Sequence, residues 1–442
     1  MADTERSDDR KMADARADAL IRMMKRKRAL LFLGITAPYL ISYFQRSAPA
    51  VVGLEIAADL GLDPASLGIL VSMYACGYAA AQLPAGLLSD IWGARKTMSA
   101  FVLIAALGSV VFAVSPNFLL LSVGRFLVGM GVGFVYVPAV RIMTEWYRED
   151  ELATYSGLLL GVGSLGAAFS ATPLVFMAAA IGWRGSFLAV AVFTVVSAFF
   201  CWLTVRDRPG DMGLPGPRGL MVDKDSEASG VTLGQALGAV LSNRKFFLLG
   251  FLLFCYYGTI LSIGSLWAGP YLQHVYGVSK TVAGNIVMMV PLGLFLGCPL
   301  SGYISDKILR SRKKVLTGGA ALHLCTFLPL FLCPGGLPEP VLYVTFLAYG
   351  VTGGAFVINY ACAKETARPC YAGTALGCIN IFLFCGGAFF QAAMGVVISR
   401  YSAGPAGVYP AEAYTAALLF AAICLLVSTI TFAFFREEAV LE

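Results

Sequence analysis

GLLSDIWGARK, residues 86 to 96, returns as GYISDKILRSRKK at residues 302 to 314. Asp90 in the first copy corresponds to Asp306 in the second. The same shift carries Ala29, where the first long apolar run begins, to Lys245, the doorstep of the seventh. Both copies are short polar loops with a glycine, an aspartate and a basic cluster, and each follows an apolar stretch. The chain therefore reads as two parallel halves, each punctuated at the same place.

The apolar stretches have membrane-spanning length. Hydrophobic residues make up 58% of the 442 and charged residues 13%, against roughly 25% charged in soluble domains. Twelve spans are expected, at 29–54, 66–89, 97–115, 117–141, 153–180, 185–205, 246–270, 281–304, 315–333, 341–362, 372–398 and 411–435. Backbone groups in lipid must be satisfied within the segment, so each is a helix. The expected class is an all-α membrane protein of twelve helices in two pseudo-symmetric six-helix bundles. Its divisions are an N-terminal tail (1–28), a first bundle (29–205), a central loop (206–245), a second bundle (246–435) and a short tail (436–442).

Basic residues set the orientation. With the N-terminus in the cytoplasm, all 32 lysines and arginines fall on cytoplasmic segments except Arg184, Lys280 and Arg400 outside, and Arg46 and Arg125 within spans. Both termini and the central loop are then cytoplasmic. The net charge of +6 serves this bias and calls for no nucleic acid. The segment before Ala29 mixes acids and bases and ends in RMMKRKR, unlike a cleaved signal. Eleven scattered cysteines without CxxC point to no disulfide framework, metal site or cofactor. Two histidines and no Ser–His–acid set leave no enzyme to propose.

These residues resemble the Major Facilitator Superfamily. The first loop carries its signature at Gly86, Leu88, Asp90, Gly93, Arg95 and Lys96. The second keeps Gly302, Asp306, Arg312 and Lys313 but lacks the second glycine. GRFLVGMGVG (124–133) is similar to the family's fourth-span motif, and GWRGSFL (182–188) to its loop before span 6. RDRPGDMGLP (206–215) and AGTALGCINIF (372–382) resemble bacterial members grouped with sugar-phosphate permeases. The resemblance implies rocker-switch alternating access in a bacterial cytoplasmic membrane. Spans 1, 4, 7, 10, 2, 5, 8 and 11 would line the cavity. It also implies gating by Gly86, Asp90, Gly93, Arg95 and Asp306. Asp90 would accept bonds at a helix N-terminus, and Arg95 would pair with a carboxylate.

Arg46, in YFQRSAPAVV (43–52), and Arg125 raise the functional question. A charge at the centre of a spanning helix costs about 2.5–3.5 kcal/mol on insertion scales. The two lie at depths agreeing within roughly one helical turn. No Asp or Glu falls mid-span, so the partner each lacks is expected to be an anionic substrate gripped by the guanidinium fork. For Arg125 the alternative is packing against glycines and carbonyls; for Arg46 it is water or carbonyls at the outer mouth. Tyr43 shares the Arg46 stripe with Tyr39. Tyr74, Tyr78, Tyr256, Asn359, Asn380 and Gln391 are candidates to complete the cavity, each weighed against a role as interhelical glue. His323 reads as a packed residue. The resemblance implies that organophosphate–phosphate antiporters pair an arginine in span 1 with a basic residue in span 7; span 7 here has none, and Ser262 stands at the repeat-related position of Arg46, which counts against sugar phosphates. The leading reading is a monomeric secondary transporter, symporter or antiporter, of a small organic anion. The alternatives are a carrier of zwitterions such as short peptides, or of a siderophore, and a transporter-like membrane sensor.

Overall fold

The computed structural model describes residues 2–212, 214, 233–367, 371–404 and 407–435, and every regular element among them is helical. Residues 213 and 215–232 of the expected central loop and the whole 436–442 tail lie outside the described residues. The first half comprises α1 (Ala2–Ser47), α2 (Pro49–Leu60), α3 (Pro64–Ile91), α4 (Ala94–Val114), α5 (Phe118–Gly133), α6 (Tyr136–Trp146), α7 (Glu149–Phe169) and α8 (Thr172–Thr204). The second comprises α9 (Leu233–Leu241), α10 (Arg244–Ser262), α11 (Ala268–Val275), α12 (Lys280–Tyr303), α13 (Arg312–Cys325), α14 (Leu328–Leu332), α15 (Glu339–Gly353), α16 (Ile358–Glu365), α17 (Ala372–Ile398) and α18 (Ala411–Ala433).

Among the described residues, ten helices are long and apolar enough to cross a membrane. Several are composites: a π-helical turn at Ile263–Trp267 joins α10 to α11, and a 3-10 turn at Gly354–Val357 joins α15 to α16. The two other expected spans have a different construction. Span 1 is the second half of α1 running on into α2. Span 5 is α7 running on into α8 as far as Gly182, where φ of 70° and ψ of 167° turn the chain back. Caps fix the starts. Asp63 accepts from Ser66 N at 3.0 Å, Asn117 from Leu120 N at 3.0 Å and Ser279 from Val282 N at 3.3 Å. The bond from Ser66 also holds the Asp63 carboxyl below its ordinary range.

Glycine seams assemble each half. In lipid no hydrophobic force draws helices together, so close van der Waals packing through small residues does. A β-carbon at Gly129 of α5 would stand 1.9 Å from the Tyr74 carbonyl of α3, and one at Gly77 2.2 Å from the Phe126 carbonyl. The second half repeats this between α12 and α15. Gly293 would meet the Leu347 carbonyl at 2.4 Å, and Gly350 the Val290 carbonyl at 2.2 Å. The shift that relates Asp90 to Asp306 also carries Gly77 onto Gly293. Gly166 against Leu40 (α7 on α1) and Gly386 against Phe254 (α17 on α10), both 2.1 Å from carbonyl oxygens, form a second matched pair.

Between the halves the packing is one-sided. The side bearing the two repeated loops is here the motif side, and the opposite one the far side. On the far side a β-carbon at Gly68 would lie 2.4 Å from the Gln391 carbonyl, and one at Gly395 2.3 Å from the Pro64 carbonyl, closing α3 on α17. An ion pair, Lys280 to Glu55, and a hydrogen bond, Thr172 to Asn285, cross the same face. Deeper in, Tyr78 stacks on Phe384 with centroids 3.8 Å apart, and Asn380 Nδ2 donates to Gln82 Oε1 at 3.0 Å. On the motif side, Gly86 of α3, Gly157 of α7, Gly302 of α12 and Gly373 of α17 have nothing within 4 Å of where a β-carbon would be. The halves are joined on the far side and parted on the motif side.

This asymmetry separates two substitutions. Gly68→Leu overpacks the far-side seam, a strain of about 1–3 kcal/mol, whereas Gly86→Leu enters open space. In a background freed of reactive cysteines, a cysteine at Val51 is expected to label about tenfold faster in Gly68→Leu as the far side opens. It should label no faster in Gly86→Leu.

Candidate functional site

Arg46 lies at the end of α1, where the chain bends into α2, on the wall between the halves. It is 7% exposed. Its Nη1 donates to Tyr257 Oη of α10 at 3.3 Å, so the contact crosses from one half to the other. Three ring faces turn toward its guanidinium carbon: Tyr43 at 4.4 Å, Phe384 at 5.1 Å and Tyr78 at 5.4 Å. Such cation–π contacts contribute about 0.5–2 kcal/mol each, most when desolvated. They soften the burial of the charge without neutralising it. Nε and Nη2, the side-on edge of the fork, make no hydrogen bond to the described residues. Among those residues no ion pair involves Arg46.

A tyrosine shell extends from this point toward the motif side. Tyr39 Oη donates to Tyr43 Oη at 3.2 Å, and Tyr136 packs on Tyr39 with centroids 5.9 Å apart. From the second half, Tyr360 bonds Asn380 Oδ1, and Phe356 packs on Tyr257 at 4.5 Å. Tyr43, Tyr78, Tyr136 and Tyr257 all lie in the neighbourhood of Tyr360. Tyr43, Tyr136, Phe356, Tyr360 and Asn380 are only half-buried at this depth, which sets them at the opening below Arg46.

The other expected residues fall in different places. Arg125, 1% exposed, points into the first half. Its Nη1 donates to the Gln45 carbonyl at 3.1 Å, its guanidinium lies over Tyr74 and Phe112, and Nε and Nη2 have no partner among the described residues. Tyr74 is spent on the Ser42 carbonyl at 3.0 Å. Tyr256 donates to the Thr352 carbonyl at 2.6 Å, in a cluster with His323 and Tyr349 inside the second half. Asn359 is fully buried and donates to the Phe356 carbonyl. Gln391 donates to Ser265 Oγ at 2.9 Å, near the far side. Sequence reasoning passes over Tyr257, Tyr136, Phe356, Tyr360 and Phe384. The adjacent pair Tyr256–Tyr257 is the available signal, because neighbours on a helix face directions about 100° apart.

The first repeated loop is tied down from a distance. Asp207, just past α8, accepts from the Arg95 backbone N–H at 2.7 Å, at the exposed N-terminus of α4. There the helix dipole favours a carboxylate. Gly93 has φ of 92°, and a β-carbon on it would stand 2.8 Å from Asp207 Oδ2, so both conformation and space require glycine. The Arg95 side chain stacks over Trp202 at 4.1 Å and donates to the Trp202 carbonyl at 2.9 Å. The Asp90 side chain lies outside the described residues. In the second half Arg312 binds Asp306 at 2.6 Å and Glu365 at 3.0 Å.

Two glycine-seamed helical bundles that meet around a buried cation define a membrane carrier rather than an enzyme. The profile of the Major Facilitator Superfamily matches residues 37–392, and the chain belongs to that family. It is 27% identical over 371 residues to the membrane sensor protein UhpC of Escherichia coli (strain K12), covering 80% of this chain and 82% of that one. It is 26% identical over 428 residues to the glycerol-3-phosphate transporter of Bacillus subtilis (strain 168), covering 90% of each. It is 26% identical over 381 residues to the probable sulfoacetate transporter SauU of Cupriavidus necator, covering 82% and 85%. Among solved structures it matches a bacterial homolog of the human lysosomal transporter Spinster with a TM-score of 0.72 at 18% identity, covering 94% of this chain and 99% of that one.

Asp207 supplies a test of the loop anchor. Loss of a capping side chain costs about 0.5–2 kcal/mol, so Asp207→Ala is expected to lower the melting temperature of the purified protein. Asp207→Asn, which keeps an acceptor oxygen, should retain most of it. Equal melting of wild type and Asp207→Ala would remove Asp207 as the anchor.

Proposed function

We propose that the protein is a secondary transporter that moves a small organic anion across a bacterial cytoplasmic membrane by alternating access, with Arg46 as the group that binds the anion. The observation that carries this reading is the unpaired Nε–Nη2 edge of a buried arginine seated between the halves. Arginine cannot shed its proton, and a buried unpaired charge is costly. A carboxylate, sulfonate or phosphate entering from the opening accepts both free N–H groups at once. The relatives named above for sulfoacetate and glycerol 3-phosphate, and others named for hexuronate and hexose phosphate, bear names of organic anions.

Alternation follows from the one-sided seam. With the motif side in the cytoplasm, as the basic residues direct, the described form is open inward. Opening outward separates Gly68 from Gln391 and breaks the Lys280–Glu55 and Thr172–Asn285 links. The motif-side glycines, Gly86 and Gly373 on one pair of helices and Gly157 and Gly302 on the other, then come together. Asp90, Gly93, Arg95 and Asp306 shape the two loops that cap this closure. The tails and the 206–245 linker are cytoplasmic, the carrier works as a monomer without cofactor, and the second arginine, Arg125, adds positive potential from behind Arg46.

Uptake into proteoliposomes tests the proposal. Removing a hydrogen-bonded charge contact costs roughly 1.5–3 kcal/mol, so Arg46→Gln should weaken anion binding by about tenfold to over a hundredfold. Arg46→Lys recovers part, since it keeps the charge and loses the fork. Melting of both variants should stay near wild type. Unchanged affinity in folded Arg46→Gln overturns the site. The similarity to a membrane sensor gives the second reading, and binding without net flux would establish it.

A further inference from the structure

We infer that the anion taken at Arg46 is an aromatic carboxylate: a single carboxylate on a flat ring, not a polyhydroxylated acid or a sugar phosphate. The inference rests on the proposed anion site and names the body attached to the anionic head.

The walls of the opening are rings. Tyr43 and Tyr136 of the first half and Phe356 and Tyr360 of the second are half-buried, and Tyr39, Tyr78, Tyr257 and Phe384 are buried beside them. A polyol needs several side chains that each offer a donor and an acceptor to its hydroxyls. Among the described residues the shell contains two amides, Asn380 and Gln82, and they are committed. Asn380 accepts from Tyr360 and donates to Gln82, and Gln82 Nε2 donates to the Tyr78 carbonyl at 3.3 Å. Tyr39 and Tyr43 are bonded to each other. Unless it broke these bonds, a sugar acid would find only the phenol hydroxyls of Tyr43, Tyr78, Tyr136 and Tyr257 for its several hydroxyl groups.

A flat ring makes neither demand. Tyr136 and Phe356 are half-buried, one on each half, and no hydrogen bond ties the Tyr136 phenol to the described residues. Rings so placed take a flat body by stacked or edge contacts, which add favourable energy beyond simple burial. The head is matched as well. A carboxylate conjugated to a ring is planar, and the free edge of Arg46 is a planar two-donor fork.

The experiment compares two acids with the same single carboxylate, 4-hydroxybenzoate and glucuronate, with glycerol 3-phosphate as a third probe. Binding to the purified full-length protein is measured for wild type, Arg46→Gln, Phe356→Leu, Tyr136→Leu and Tyr136→Phe. Expected is a preference for 4-hydroxybenzoate over glucuronate of about tenfold or more, from two stacking rings. Arg46→Gln should weaken both acids alike, by about tenfold or more. Phe356→Leu and Tyr136→Leu should shrink the preference, and Tyr136→Phe, which keeps the ring, should preserve it. Glucuronate or glycerol 3-phosphate binding as tightly as 4-hydroxybenzoate, with dependence on Arg46 intact, overturns the inference and leaves the anion site standing. If no probe responds to Arg46→Gln, the site and the inference fall together.

Discussion

Backbone touching backbone is the constraint from which this molecule follows. Lipid offers helices no hydrophobic reward for meeting, so they meet where glycine lets a Cα lie against a neighbouring carbonyl. Gly77 and Gly129 lock α3 to α5, and Gly293 and Gly350 lock α12 to α15 in the same way. Such a seam has no flexible side chain that could adjust to a shift. Each bundle is thereby closely joined within itself, which is not so all along the boundary between the bundles. There the same kind of seam exists on one side alone, at Gly68 and Gly395. The difference between a closed far side and an open motif side is one seam made and another unmade.

A closely joined bundle can also hold a charge where lipid and close packing would otherwise expel it. Arg46 and Arg125 share a depth yet differ in circumstance. Arg125 is enclosed by its own bundle, bonded to the carbonyl of the residue before Arg46 and covered by Tyr74 and Phe112. Arg46 reaches the other bundle through Tyr257. Any ligand that binds its free edge therefore touches a group that already links the halves. Such a ligand and the link between the halves would share one guanidinium group, each on its own nitrogens.

Much of this can be read from residues alone, and the failures have physical causes. The repeated loops and apolar runs announce two parallel bundles, because hydrocarbon leaves few alternatives. A buried arginine without a carboxylate stands out as a candidate, because its cost is large. Depth along a helix is also readable, at about 1.5 Å per residue. The direction a residue faces is less so. Tyr256 reads as a cavity residue, yet it turns into its own bundle to meet Thr352, and Tyr257 takes the place beside Arg46. Which of two adjacent tyrosines faces the partner half depends on how the halves pack, and that information is spread over the whole chain. The start of α4 calls for a nearby carboxylate, whereas Asp207 arrives there from 112 residues beyond Arg95. Local sequence carries no trace of such a partner.

The π-helical turn at Ile263–Trp267 adds a further property. The Ala268 backbone N–H bonds the Ile263 carbonyl, five residues back, so this turn holds one residue more than the α-helical count. Everything before it is rotated by about 100° against everything after it, relative to an uninterrupted helix. Tyr257 lies on one side of this step, and Trp267, bonded to the Gln391 carbonyl at 3.1 Å, on the other. Loss of a single residue here would reset the phase. It would swing a different face of α10 toward Arg46 while the far-side contacts of Trp267 stayed in register. Change in length by one codon is thus a route by which a carrier of this build acquires a new cavity wall from old residues, with no cavity residue itself replaced.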